Sequence, residues 1–77
     1  MNLQIITPDT ELFSGEVDSV VVPGTDGLIG ILNNHAPLVS SLKAGQVKIS
    51  NSEKEEFYDV KGGVVEVLSN KVIILAT

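Results

Sequence analysis

Seventy-seven residues leave room for one domain, residues 1–77, with a folded surface that area scaling puts at roughly 4,500 Å². The chain has no cysteine, which excludes disulfides and thiolate metal sites. Its net charge is −5, with five scattered lysines and no arginine. No basic patch able to displace counterions from phosphates can be assembled from these residues, so nucleic acid is excluded as a partner. Anionic lipid is disfavoured for the same reason.

Apolar residues make up 43% of the chain and charged residues 19%. A small domain has proportionally more surface to cover, so this surplus predicts apolar surface reserved for a partner rather than an unusually dense core. The acidic balance suits a basic protein. The start, M-N-L-Q, lacks the basic and long apolar regions of a leader, and the longest apolar run, residues 72–76, is too short to span a bilayer. The default location is therefore cytoplasmic.

Short runs rich in Val, Ile and Leu alternate with turn residues, which predicts an all-β fold: a small two-sheet sandwich or flattened barrel of eight to ten mostly antiparallel strands. Residues 3–7 read as the first strand, closed by Pro8 and Asp9. Residues 12–13 form a short strand before Gly15. Residues 16–22 read as one strand ending at Pro23-Gly24, and Asp26-Gly27 is a hairpin turn signal. Residues 28–32 follow, then the Asn33-Asn34 turn. Residues 37–42, 46–50, 57–60, 64–68 and 72–75 complete the set, the last two joined through Ser69-Asn70. Residues 20–22, 28–29 and 72–75 are apolar on both faces, where the outer face of a sandwich should read polar. A docked protein is the better account of three such strands together.

Little chemistry can be built from these residues. The single histidine, His35, has no serine in a nucleophile context to serve, and reads as a loop histidine that fixes residues 33–37. No ligand cluster suggests a metal. Gly24, Gly27 and Gly30 lack the lysine, hydroxyl and helix of a phosphate loop. Glu53, Glu55 and Glu56 read as a solvated face. No catalytic residue, cofactor or small-molecule substrate is expected.

The segments I-I-T-P (5–8), L-F-S-G-E-V (12–17), V-V-P-G-T-D-G-L-I-G-I-L (21–32) and N-N-H-A-P-L (33–38) occur in order, followed by L-K-A-G (42–45), K-G-G-V-V-E-V (61–67) and N-K-V-I-I-L-A (70–76). Together they cover nearly the whole chain, and the pattern resembles the amino-terminal domain of the epsilon subunit of the rotary ATP synthase. The resemblance implies a noncatalytic β-sandwich of the central stalk, peripheral at the cytoplasmic face of the inner membrane. It would join the gamma subunit to the c-ring and help couple proton flow to ATP synthesis. By position, Asp26, Gly27 and Leu28 correspond to the c-ring side, and Thr7, His35 and Ser40 to the gamma side. Leu28 stands where the family often has an acidic residue, and Asp26 would keep part of a charged contact. The helical hairpin of longer family members would begin where this sequence ends, so neither hairpin-mediated inhibition nor ATP sensing is expected. The competing readings are a biotinyl- or lipoyl-like carrier domain modified on Lys43 or Lys61, and an interaction module of unrelated partnership.

Overall fold

The computed structural model describes residues 1–77, which form nine strands and no helix. In chain order these are β1 (Asn2–Ile6), β2 (Glu11–Glu16), β3 (Ser19–Gly24), β4 (Gly27–Leu32), β5 (Leu38–Leu42), β6 (Gly45–Asn51), β7 (Lys54–Val60), β8 (Gly63–Leu68) and β9 (Lys71–Ala76). Pairing runs β2-β1-β9-β8-β5 and then, through β3, to β6 and β7, with β4 on the other side of β3. The β5–β3 link is the single register pair Gly24–Leu42, reinforced by N–H groups of Thr25 and Lys43 donating to Ser41 and Pro23 carbonyls. The ladder bends there, so the molecule is two layers: sheet I (β2-β1-β9-β8-β5) and sheet II (β4-β3-β6-β7). All neighbours are antiparallel except β1 and β9.

Period-two alternation aims one set of side chains from each sheet at the other. Leu3 and Ile5, Val65 and Val67, and Val72 and Ile74 come from sheet I. Val20 and Val22, Ile31, and Val47 and Ile49 meet them from sheet II. Phe13 of β2 and Tyr58 of β7 pack with ring centroids 6.1 Å apart, closing the sandwich along one side. No polar or charged side chain is buried, so cohesion rests on apolar burial and on the strand ladders. The accessible surface, 4536 Å², matches the area expected from chain length. The apolar surplus is therefore a matter of what the surface is made of, not of how much surface there is.

The expected strand over residues 16–22 is two strands. β2 ends at Glu16 and β3 begins at Ser19, because the chain crosses here from sheet I to sheet II. Val17 turns inward and its N–H bonds the Met1 carbonyl at 2.9 Å. Asp18 donates its N–H to Ser50 O and accepts Ser52 N–H on its carboxylate at 2.6 Å. Pro23 and Gly24 do not end β3 but lie within it. The Pro23 carbonyl points toward β5, so its ring nitrogen faces the same side, where pairing passes from β6 to β5 and no donor is needed.

Connections gather at two ends. The Met1 end holds residues 17–18, 33–36, 52–53 and the Ser69-Asn70 turn. The Thr77 end holds residues 7–10, Thr25-Asp26, Lys43-Ala44 and Lys61-Gly62. Ser69 and Asn70 both have positive φ, 51° and 58°, the mark of a two-residue type I′ turn between the paired Leu68 and Lys71.

Candidate interaction surfaces

The β3–β4 hairpin carries Asp26, Gly27 and Leu28 to its tip at the Thr77 end. Gly24 pairs with Gly27, so the two turn residues are Thr25 and Asp26 rather than Asp26 and Gly27. Gly27 instead opens β4 at φ 136°, a conformation that only glycine adopts without strain. Asp26 is exposed, and Leu28 is 75% exposed on the outer side of β4. The tip therefore offers one carboxylate beside one bare leucine.

Thr7, His35 and Ser40 do not form one cluster. Thr7 follows β1 at the Thr77 end, where its Oγ accepts N–H bonds from Asp9 (3.3 Å) and Thr10 (3.0 Å) and shapes the β1–β2 turn. His35 lies at the Met1 end. Its N–H donates to Leu32 O, and its Nδ1 sits 2.7 Å from its neighbour Ala36's carbonyl. Asn34 beside it donates its N–H to Asn70 Oδ1 at 2.8 Å, tying this loop to the Ser69-Asn70 turn. Ser40, midway along β5 and paired with Val65, faces the interior side of sheet I and is half-buried.

Between those ends lies a surface that position-by-position reading of the resemblance does not pick out. Strand registers align the outward residues of β5, β8, β9 and β1 in three rows, which β2 at the edge extends with Glu11, Ser14 and Glu16. Ser41, Val64, Leu75 and Ile6 form the row nearest the Thr77 end; Val39, Glu66, Ile73 and Gln4 the middle row; Leu68, Lys71 and Asn2 the row nearest Met1. Val39 is 72% exposed, Leu68 63% and Leu75 47%. Two shallow depressions open on this face, one beside Glu66, Leu68, Lys71 and Ile73, the other beside Ile6, Pro8 and Leu75. The signal was in the sequence: residues 72–75 are apolar at both phases of the strand period, as expected of a strand covered on both sides.

No three His, Cys, Asp or Glu side chains come together as a metal site. Glu53, Glu55 and Glu56 are exposed on the β6–β7 hairpin, with Glu55 3.1 Å from Lys48 Nζ. Lys43 and Lys61 are exposed turn residues at the Thr77 end. One group titrates away from its ordinary value: desolvation, then the charge of Glu56, then a long hydrogen bond to it push the Tyr58 hydroxyl upward.

Comparison with known proteins agrees with this architecture. The model of the ATP synthase delta/epsilon chain beta-sandwich domain matches residues 1–77. The ATP synthase epsilon chain of Chlorobium limicola is 50% identical over 74 residues, covering 95% of this chain and 84% of that one. That of Leptospira borgpetersenii is 49% identical over 75 residues, covering 97% of this chain and 59% of its own length. The fold recurs, at 23% identity and a TM-score of 0.90, in a chain of the Euglena gracilis mitochondrial ATP synthase cryo-EM structure (OSCP/F1/c-ring); the match covers 96% of this chain and 48% of that one. The carrier reading at Lys43 or Lys61 is thereby set aside. An all-β sandwich without catalytic or cofactor motifs, matched from end to end, this chain belongs to the ATP synthase delta/epsilon chain family as its noncatalytic amino-terminal β-sandwich domain.

Proposed function

We propose that this chain is a central-stalk component of a proton-translocating ATP synthase, held between the gamma subunit and the c-ring. In this role it helps keep proton flow coupled to ATP synthesis at the cytoplasmic face of the inner membrane. The observation that carries the proposal is the family match over residues 1–77. The exposed apolar face of sheet I supports it, because a lasting subunit interface has the character of a core cut in half.

In this reading each partner has its own place on the surface. Gamma lies along the outward face of sheet I. A partner running the length of these strands, about 17 Å for five residues, reaches from Thr7 at one rim toward His35 at the other, over the outward residues of β5; Ser40, on the inner side of β5, would support that strand rather than touch the partner. The c-ring meets the Thr77 end through Asp26, Gly27 and Leu28. Asp26 supplies the charge that Leu28 does not, and Leu28 adds an apolar contact. The sandwich performs no covalent step; two paired layers transmit force between its neighbours because ladders in a packed core open rarely.

Affinity purification of the tagged chain from native membranes tests this reading. Gamma, the catalytic subunits and the c-ring are expected in fixed proportion, and recovery of the chain without them would overturn it. An Asp26→Cys variant should crosslink to the c subunit rather than to gamma, which separates the two proposed surfaces.

A further inference from the structure

Glu66 is the one acidic side chain in the interior of the outward face of sheet I. Its neighbours along β8 are Val64 and Leu68; opposite it stand Val39 on β5 and Ile73 on β9. Four apolar side chains therefore ring a single carboxylate. Lys71 stands on the diagonal, paired with Leu68, and forms no ion pair with Glu66; the close ion pairs of the molecule are Met1–Glu16 and Lys48–Glu55. In water this costs nothing, since the carboxylate is exposed and hydrated. Under a partner it changes sign. Any protein that covers Val39, Val64, Leu68 and Ile73 also strips water from Glu66, and an unpaired carboxylate in an apolar contact is strongly unfavourable.

We infer that Glu66 is the polar anchor of the gamma-facing surface, and that gamma presents a lysine or arginine to it from within an otherwise apolar contact. This rests on the proposed docking of gamma and adds what the docked surface must contain. The charge argues against a second copy of this chain as the occupant. A two-fold contact centred on this face would bring two Glu66 carboxylates together between chains that each carry a net charge of −5. A cationic partner residue satisfies the same position, and an arginine does so with two parallel hydrogen bonds. The apolar ring would supply adhesion, and the single ion pair would fix register and exclude other partners.

The test is binding of the full chain to its cognate gamma subunit, with E66Q, E66K and, as a charge-matched control on the exposed β6–β7 turn, E53K. Circular dichroism and thermal melting should match wild type for all three. E66Q should weaken binding about tenfold or more and E66K should abolish it, with E53K unchanged. A lysine- or arginine-to-glutamate change on gamma that restores binding to E66K would identify the opposing residue. Equal or tighter binding by E66Q overturns the anchor while leaving the stalk role standing. Absence of binding by the wild-type chain overturns the stalk role itself. A wild-type chain that dimerises, and loses the dimer in V39D, gives the face to a second copy and also overturns the inference.

Discussion

The outward faces of the two sheets differ in how they manage their surface. On sheet II the outward positions of β6 and β7 apart from Phe57 are polar and partly satisfy one another, whereas β4 at the far edge exposes Leu28 and Leu32. Lys48 pairs with Glu55 at 3.1 Å, and Gln46 donates to Asp59 at 3.0 Å. On sheet I the equivalent positions are Val39, Val64, Leu68, Ile73 and Leu75 around one unpaired carboxylate. Both sheets feed the same core, so folding alone does not demand the difference. The polar part of sheet II completes its pairings in water; the apolar centre of sheet I has no such pairings and is the surface proposed for gamma.

Neighbouring residues on β9 give the sharpest way to break this contrast. Ile74 points into the core and is fully buried, whereas Leu75 points out and is 47% exposed. Ile74→Asp places a carboxylate where no partner exists. It should remove most of the roughly 5–15 kcal/mol of stability typical of such a domain, seen as loss of the β circular dichroism signal. Leu75→Asp should keep that signal and lose gamma binding; two unfolded variants would show that the outer face serves folding after all.

Gly63 sharpens the picture one step down. It begins β8 at φ 135°, and a Cβ there would lie 2.0 Å from Leu75 O, so β8 and β9 approach more closely than any side chain permits. Gly63→Ala should cost about 2 kcal/mol or more in urea unfolding. A neutral result would mean that this corner of sheet I is loose. His35→Ala removes one local contact with Ala36 O and should cost about 1 kcal/mol, leaving gamma binding within a few-fold of wild type. The smallest effect belongs to Tyr58. Its raised pKa means that the unfolded chain loses this proton first, so stability should decline as pH rises above 10. Tyr58→Phe should flatten that decline in melts between pH 9 and 11.

Strand positions were legible because turn residues bound nearly every one; Ser69-Asn70 and the residues about Asn51 needed no tertiary context. What escaped depended on contacts distant in sequence. The break at Val17-Asp18 exists because Met1 and Ser50 wait there as hydrogen-bond partners. Pro23 stays inside its strand because two other strands exchange places beside it. The tip residues Asp26, Gly27 and Leu28 did fall together, since a hairpin is local. The turns at Thr25-Asp26 and residues 33–36 lie close in sequence yet at opposite ends of the molecule, because β4 between them spans it. The outward face of sheet I draws on β1, β5, β8 and β9, and no window of sequence contains it.

The parallel pairing of β1 with β9 carries a consequence for biogenesis. The first strand finds its central neighbour only when the last strand exists, which at ordinary elongation rates is about 4–15 s after its own synthesis. Until then Leu3 and Ile5 have only β2 for company, and the outward face of sheet I lacks its middle. A chain not yet extended through β9 thus cannot present that surface. Emergence of β9 is therefore the step on which this surface depends, and strand order sets it.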